Sequence, residues 1–316
     1  MRKALSRIYG LVIAARNRLY DAGVLAVHRT GIPVVSVGNI EAGGTGKTPT
    51  TIALARELAA RGYRPSIVTR GYRGRLRGVV QVSPSLDPRD VGDEALLMAR
   101  VTGLPVIKSP DRVKGALLAR DALACDLVLL DDGFQHRRIH RDLDIVLLSG
   151  DPARDELLPL GRLREPARSL QRADLVIRTK GAGSGDLSAE LVPCSLLDAR
   201  GNAEDLSALE GKDVLAVSGI ARPGHFTRML EELGARVEAM CFADHHVFTD
   251  RDMEAIGERA STKDLIMTTE KDLVRIDAPQ FPEKWRALRV EMRIEGIQRI
   301  LGEIERIVEE SRISRS

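Results

Sequence analysis

The stretch VGNIEAGGTGKTP, residues 37–49, decides the fold, because it joins a predicted strand to a predicted helix through a glycine-rich loop. The run IPVVSVGN, residues 32–39, is short, apolar and β-branched, which is typical of a buried strand. The apolar residues of the segment 48–63 have helical spacing. A strand, a glycine-rich loop and a helix in this order predict a phosphate-binding loop.

The loop offers the groups that a triphosphate needs. Its glycines let backbone amides turn toward phosphate, and the helix start adds partial positive charge. Lys47 is placed to reach the outer phosphates, and the Thr48 hydroxyl to bind Mg²⁺. The strict phosphate-loop motif has a glycine where this chain has Glu41, so Gly43 and Gly44 would shape the turn instead. The alternative to a phosphate-binding loop is a glycine-rich turn that carries a lysine by chance. The predicted nucleotide-binding residues are Gly43, Gly44, Thr45, Gly46, Lys47 and Thr48.

Predicted strands and helices alternate along the rest of the chain. The alternation predicts an α/β fold of the P-loop NTPase type, with a mostly parallel sheet flanked by helices and a second, smaller α/β domain. We place a P-loop domain at residues 31–205 and the smaller domain at 206–316, after a basic amphipathic helix within 1–30. The glycine- and serine-rich segment 181–194 is interpreted as a loop, and 296–308 as a helix.

Polar residues follow several predicted strands, at the edge where ligands bind such sheets. LVLLDDGFQH, residues 127–136, ends a strand in Asp131 and Asp132, where a carboxylate can bind Mg²⁺. The alternative is an aspartate that only caps the following turn. Gln135 and His136 add polar groups that ATP hydrolysis alone does not need.

Two further groups could move a proton. Asp93 and Glu94 begin a predicted helix, where acids either stabilise the helix end or take a proton from an attacking hydroxyl. In the smaller domain, His245 and His246 follow Asp244 after a strand. A histidine paired with a carboxylate is one interpretation, and a surface turn is the other.

The composition narrows the classes of function. The chain has 316 residues, 43% hydrophobic and 29% charged, as in ordinary soluble globular proteins. A net charge of +3 and 3% aromatic residues do not favour a nucleic-acid partner. Three isolated cysteines, without a C-x-x-C motif, do not favour a zinc site.

The N-terminal segment has a different character. It carries six basic residues against the single acid Asp21, and five apolar residues fall on one helical face: Leu5, Ile8, Val12, Ala15 and Leu19. Its apolar runs are too short to span a bilayer. The segment is either an amphipathic helix packed on the protein or a basic helix lying on an anionic membrane surface.

Taken together, these motifs resemble one family, the tetraacyldisaccharide 4′-kinases of lipid A biosynthesis in Gram-negative bacteria. The family's motifs appear in its order along most of the chain: VGNIEAGGTGKTP, TRGYRG, GDEALLMA, DDGFQH, LLPLGRLREP, SGIARPGHF, FADHHVFT and TTEKD. The resemblance implies Mg²⁺-dependent transfer of the ATP γ-phosphoryl group to the 4′-hydroxyl of a tetraacylated disaccharide 1-phosphate lipid, giving lipid IVA. It also implies a peripheral enzyme on the cytoplasmic face of the inner membrane, with the basic helix on the membrane surface.

The resemblance also implies roles for single residues. Asp93 matches the proposed base, with His245 as its partner, and Lys47 and Arg164 would stabilise charge on the phosphate. Because Asp93 and His245 belong to different predicted domains, domain closure could complete the site. The implied metal residues are Thr48, Asp131, Asp132 and Glu165, and the implied substrate residues are Arg70, Gln135 and His136.

Two other functions fit parts of the pattern. A membrane-associated P-loop switch ATPase that positions partner proteins would use the loop, the strand-end acids and the basic helix, but not GRLREP or DHH. A soluble small-molecule kinase would leave the basic helix unexplained.

Overall fold

The computed structural model describes residues 1–179, 187–276 and 281–313. The chain divides into two compact units: the first contains Met1–Glu190 and Met292–Ser316, and the second Leu191–Glu291. The predicted domains, 31–205 and 206–316, differ from these units, since the second unit begins earlier and the C-terminal helix belongs to the first.

The first unit contains a sheet whose long strands are parallel. In spatial order the strands are β8, β7, β6, β1, β5, β2, β4 and β3, and only β3 is antiparallel to its neighbour. Their bounds are β1 (Val34–Asn39), β2 (Pro65–Thr69), β3 (Val80–Gln81), β4 (Val106–Lys108), β5 (Leu127–Asp131), β6 (Leu143–Leu148), β7 (Leu175–Arg178) and β8 (Leu187–Asp198), of which β8 continues into the second unit. The predicted parallel sheet is confirmed.

Helices cover this sheet, and their starts follow the local sequence. They are α1 (Arg2–Asp21), α2 (Lys47–Ala60), α3 (Pro88–Val91), α4 (Asp93–Thr102) and α5 (Arg112–Asp121). The Asp111 side chain accepts hydrogen bonds from the first amides of α5, as an N-cap should. The completely buried strands β1, β2 and β5 show why their sequences are continuous apolar runs rather than alternating ones.

The second unit is a smaller parallel sheet with helices. Its parallel strands lie in the order β11, β10, β12, β13. The elements are β9 (Ala203–Glu204), β10 (Asp213–Ser218), β11 (Arg236–Cys241), β12 (Leu265–Thr269), β13 (Trp285–Glu295), α6 (Pro223–Glu232), α7 (Asp250–Ala260) and α8 (Glu270–Leu273). Helices α6 and α7 contribute to two separate apolar clusters, so the sheet of this unit has its own core.

The last helix, α9 (Ile297–Ile313), is the predicted C-terminal helix. Its apolar face is buried, and Arg61 at the end of α2 donates to Glu305 at 2.7 Å. These contacts explain why α9 belongs to the first unit although it follows the second in sequence.

The predicted loop at 181–194 is wrong from Leu187 onward, and residues 180–186 lie outside the described ranges. Strand β8 begins at Leu187, where Leu187 and Ala189 are buried and Ser188 and Glu190 are not. This alternation is a strand pattern, which the glycine- and serine-rich composition before it obscured.

Candidate active site

Polar side chains from several elements meet at the carboxyl edge of the first sheet. Asp131, the last residue of β5, accepts hydrogen bonds from three threonine hydroxyls: Thr48 at 3.3 Å, Thr51 at 3.4 Å and Thr69 at 3.2 Å. Because β1, β2 and β5 are parallel neighbours, their ends bring the loop, Thr69 and Asp131 together. The sequence predicted this convergence for Thr48 and Asp131.

Asp131 is a carboxylate without enough positive charge around it. Burial, then the negative charges of Glu94 and Asp132, raise the pKa of Asp131 to about 7, against the opposing effect of Lys47. Hydroxyl donors stabilise a carboxylate less than a cation does. A bound cation would therefore favour the ionised form of this group.

The neighbouring Asp132, unlike Asp131, is surrounded by enough positive charge to favour its ionised form. Arg164 donates to its Oδ1 at 2.7 Å, and Lys47 Nζ lies 3.6 Å from the same oxygen. Burial alone would raise the pKa of Asp132, but Lys47, Arg164 and Arg112 together lower it. Lys47 and Arg164 are thus held in place by a carboxylate at this edge.

The glycine-rich loop has the backbone that its sequence predicts. Gly43 and Gly46 have φ angles of 105° and 88°, which favour glycine. A Cβ on Gly46 would lie 2.6 Å from Met292 Cε. Gly46 is the N-cap of α2 and has no side chain to cap it, which suits a helix end that receives phosphate.

Glu41 has a structural role in this variant of the loop. Its buried carboxylate accepts hydrogen bonds from the Ser149 hydroxyl and, at 3.3 Å, from the Ser149 amide. The flanking backbone pairs with the GRLREP segment, because Ala42 N donates to Arg162 O and Arg164 N to Ile40 O, each at 2.7 Å. Glu41 therefore ties the loop to the end of β6, next to the segment that carries Arg164.

The residues present fit a magnesium ion. Thr48, Asp131 and Asp132 offer hydroxyl and carboxylate oxygens, which Mg²⁺ prefers, and the raised pKa of Asp131 marks a deficit of positive charge. Within the described ranges, no three His, Cys, Asp or Glu side chains form a ready metal cluster. Such a set suits an ion that completes its shell with waters and substrate phosphates.

Glu165 lies in a different environment from the other predicted metal residues. It is completely buried, and its Oε2 accepts hydrogen bonds from Arg172 at 2.6 Å and Asn17 at 2.8 Å. Its Oε1 is buried and has no hydrogen-bond partner within the described part of the chain. The recorded contacts of Glu165 therefore link it to α1 and Arg172, and its role as a metal residue stays a prediction.

Asp93 is the first residue of α4 and is buried. Its Oδ1 accepts a hydrogen bond from Glu94 N at 2.9 Å. The backbone before it is tight, since a Cβ on Gly92 (φ 93°) would lie 2.6 Å from Tyr72 O. Asp93 is thereby fixed beside the TRGYRG segment, and the negative charge of Glu94 acts on Asp131.

Arg112 is a charged residue of this edge that the sequence reasoning missed. It is buried at the start of α5, and burial lowers its pKa while Asp132 and Asp131 oppose that shift. Its Nε has no partner among the described residues. The available signal was its position, since SPDRVKG places an arginine at the start of a helix shortly after β4 ends.

The three predicted substrate residues differ in placement. Arg70 is exposed directly after β2, and its charge acts on Arg112. Gln135 donates to Asn39 O at 2.7 Å, so it supports the strand that leads into the loop. Burial, then Arg112, lowers the pKa of His136 to about 4, so this ring is neutral near pH 7.

In the second unit the two adjacent histidines are distinct. His246 lies 3.0 Å from Asp252 and stacks on Phe242, with ring centroids 4.7 Å apart. His245 instead has its Nε2 3.3 Å from Lys271 Nζ. The packing of His246 gives it a structural role and leaves His245 as the candidate for chemistry.

Helix α1 reaches the candidate site through its polar face. Tyr9 donates to Arg164 O at 2.8 Å, Asn17 to Glu165 at 2.8 Å and Arg16 to Gln135 O at 3.0 Å. The predicted apolar stripe faces outward instead, with Leu5, Ile8 and Val12 exposed. No described helix is both long and apolar enough to cross a membrane.

Comparisons with known proteins match one family along most of the chain. The family model described as LpxK, tetraacyldisaccharide-1-P 4′-kinase, matches residues 2–306. A tetraacyldisaccharide 4′-kinase of Anaeromyxobacter sp. (strain K) is 42% identical over 295 residues, covering 84% of this chain and 78% of the relative. The Aquifex aeolicus (strain VF5) relative of the same name is 36% identical and covers 96% of each chain.

A solved structure is also similar. The crystal structure of LpxK from Aquifex aeolicus, described as an "apo" form in complex with ATP, has a TM-score of 0.82 and 34% identity. The match covers 96% of this chain and 98% of that one.

Proposed function

Because the chain belongs to the tetraacyldisaccharide 4′-kinase family, it is an ATP-dependent kinase of lipid A biosynthesis, and we propose that the charged edge of its first unit carries the phosphoryl transfer. The reaction moves the γ-phosphoryl group of ATP to the 4′-hydroxyl of a tetraacyldisaccharide 1-phosphate and gives lipid IVA. The family assignment does not support the alternative of a switch ATPase.

The observation that carries the proposal is the pair Asp131 and Asp132 beside the loop. Asp131 accepts hydrogen bonds from three threonine hydroxyls and has a raised pKa, while Asp132 holds Lys47 and Arg164. Lys47 and Arg164 are the side chains that bind and neutralise the transferring phosphoryl group. The amides at residues 43–48 bind the phosphate chain at the start of α2.

Thr48, Asp131 and Asp132 are the proposed Mg²⁺ residues, with Glu165 as a further carboxylate near the ion. Mg²⁺ bound there would neutralise phosphate charge. The direct contacts of Thr48 and Asp131 support this assignment.

Asp93 is the proposed base that takes the proton of the 4′-hydroxyl, and His245 is its proposed partner. The buried, fixed carboxylate at the start of α4 supports the first role. The role of His245 rests on its place in the family motif. Arg70, Gln135 and His136 are the proposed contacts for the acceptor, of which Arg70 offers the positive charge that a 1-phosphate needs.

The proposal is tested with γ-phosphate-labelled ATP and the acylated disaccharide 1-phosphate in detergent micelles. Asp93→Asn should reduce labelled lipid by at least about 100-fold and leave ATP binding unchanged, because it removes proton acceptance but keeps the shape. Asp90→Asn, three residues earlier in α3, is the matched control. Near-normal turnover by Asp93→Asn would contradict the base assignment.

We further infer that α1 places the enzyme on the cytoplasmic surface of the inner membrane. Leu11 and Val12 are 70% and 60% exposed, on a helix whose polar side binds Arg164, Glu165 and Gln135. Exposed apolar area beside basic residues fits an anionic lipid surface. The docking of α1 on Arg164 and Glu165 would hold the site at the level of the lipid acceptor.

Vesicle co-sedimentation tests the placement. Leu11→Glu with Val12→Glu should release the enzyme from vesicles containing anionic lipid, because apolar area is replaced by negative charge. Ile313→Glu, at an exposed apolar position of α9, is the control. Equal sedimentation of both variants would contradict the role of α1.

A further inference from the structure

A group of charged residues surrounds His245 in the second unit. Lys271, in α8, has its Nζ 3.3 Å from His245 Nε2 and 4.0 Å from Asp244 Oδ1. Asp244 Oδ1 lies 3.9 Å from the same ring nitrogen. The segments FADHHVFT and TTEKD therefore meet at a short contact between the lysine and the histidine.

This contact determines which ring nitrogen carries the proton. A lysine ammonium has three donors and no acceptor, so Nε2 of a neutral His245 must accept from it. The single ring proton is then on Nδ1. We propose that Lys271 is a positioning residue that fixes His245 in the Nδ1–H tautomer. The inference concerns the ring itself, and its value for catalysis rests on the proposed function of His245.

Hydrogen bonds fix the backbone around His245, so that the contact with Lys271 can determine the tautomer of the ring. His245 has a φ angle of 58°, which is uncommon for a residue with a side chain, and its amide donates to Gly219 O at 3.1 Å. Arg275 donates to Gly219 O and to His246 O, each at 3.0 Å. A strained residue persists only where its surroundings determine it, which is typical of functional segments.

Lys271 is held from the other side. Thr269 is the N-cap of α8, and its hydroxyl donates to Asp272 at 2.7 Å. Asp272 also accepts from Gly219 N at 3.2 Å, which links α8 to the turn that supports His245. Both partners of the contact are thus fixed to Gly219, and the lysine meets the ring at a defined nitrogen.

The tautomer suits a histidine that assists a carboxylate. With Nε2 accepting from Lys271, Nδ1–H is the donor of the ring, and a histidine supports a carboxylate by donating to it. Loss of the lysine would let the ring take the other tautomer, with its donor on the wrong nitrogen. A change of tautomer alone can greatly reduce the turnover that a histidine supports.

The test is ¹⁵N NMR of the full chain labelled on histidine, at about pH 8 so that an ordinary imidazole is neutral. Of the six histidines, His245→Gln assigns the signals in question. In the wild type, Nε2 should resonate as an unprotonated nitrogen and Nδ1 as a protonated one. Lys271→Met should move both shifts toward the opposite tautomer, and Lys271→Arg, which keeps a donor, should restore them.

Lys263→Met is a matched control, since Lys263 has a similar side-chain exposure (20% against 19%) in the same unit and pairs with Glu238 at 2.9 Å. In the kinase assay, Lys271→Met should lower kcat by at least about tenfold with little change in the KM for ATP. Lys263→Met should change neither quantity, and thermal unfolding confirms that both variants are folded.

The outcomes separate the two levels of the proposal. A wild-type ring with its proton on Nε2, or shifts unchanged in Lys271→Met, would overturn the inference on Lys271. Shifted signals with unchanged kcat would support Lys271 as the determinant of the tautomer and overturn the proposed catalytic part of His245.

Discussion

Each unit of the chain contains a buried aspartate beside the end of a central strand, and the two are stabilised in different ways. Asp131, in the first unit, contacts three hydroxyls and lies near other acids, with a pKa raised to about 7. Asp272, in the second unit, pairs with Arg275 and accepts from Gly219 N and Thr269. Burial raises the pKa of Asp272 as well, with the charge of Arg275 opposing the shift. A buried carboxylate with a paired cation indicates a structural role, whereas one held by hydroxyls indicates a place for a ligand.

Replacing Asp131 should have the largest effect on turnover. Asp131→Asn removes a proposed Mg²⁺ carboxylate and should lower kcat by at least about 100-fold, since it removes an electrostatic element at the phosphate. Asp126→Asn, at a carboxylate paired with Arg64 at the sheet's opposite edge, is the control in the same lipid kinase assay. An active Asp131→Asn enzyme would remove Asp131 from the metal site.

The same substitution should stabilise the ligand-free protein. The folded-state pKa of Asp131 lies above its unfolded value, so the folded protein binds more protons and loses stability as pH rises from about 4 to 7. Asp131→Asn removes that loss, and its Tm should exceed the wild-type value by several degrees at about pH 8. The difference should vanish near pH 4, and a difference independent of pH would contradict the assignment.

Replacing Asp272 should instead lower the stability of the fold. Asp272→Ala leaves Arg275 buried without its carboxylate and releases the Gly219 amide, so the free energy of unfolding should fall by about 3–5 kcal/mol. Urea unfolding measures it, with Asp264→Ala, which removes a hydrogen bond to Asp213 N, as a milder control. If the two variants were equally stable, Asp272 would not be the structural counterpart of Asp131.

Replacing His136 should have a smaller effect, which is on stability at acid pH. Its pKa is lowered to about 4, chiefly by burial, so protonation favours the unfolded chain. The stability that the neutral ring contributes is complete above pH 6.5, the ordinary value, and is lost as pH falls toward 4. His136→Asn should flatten this part of the Tm profile, whereas His140→Asn, at a half-buried ring near Asp142, serves as control.

Replacing Glu41 should have the smallest effect on activity, because Glu41 supports the loop through Ser149 and is not a proposed phosphate contact. Glu41→Ala removes the acceptor for Ser149, and the KM for ATP should rise several-fold as the loop loosens, while Glu41→Gln keeps an acceptor and should be nearer to wild type. Equal KM values for Glu41→Ala and the wild type would limit Glu41 to packing.

The sequence predicted the parts of the site that depend on strand order. Thr48 and Asp131 meet because parallel strands end at one edge, and apolar runs mark those strands. It also predicted the apolar stripe of α1, but α1 exposes that stripe whereas α9 buries its own. Periodicity gives the face of a helix and does not determine what covers it.

Other parts depend on side chains that are distant in sequence. Arg112 enters the site through the packing of α5, and Lys271 meets His245 across 26 positions, which no local pattern records. The raised pKa of Asp131 is the sum of burial and of charges from separate elements. Such a sum requires the three-dimensional structure, because each contribution to the pKa depends on distance and on exposure to solvent.

The charged edge of the first unit is proposed to phosphorylate a lipid. The most direct measurement is transfer of label from γ-labelled ATP to the acylated disaccharide 1-phosphate by the wild type and by Asp93→Asn, each with ATP binding measured in parallel. Labelled lipid should form with the wild type, at least about 100-fold less should form with Asp93→Asn, and the two should bind ATP equally. Bound ATP without any labelled lipid from the wild type would contradict it.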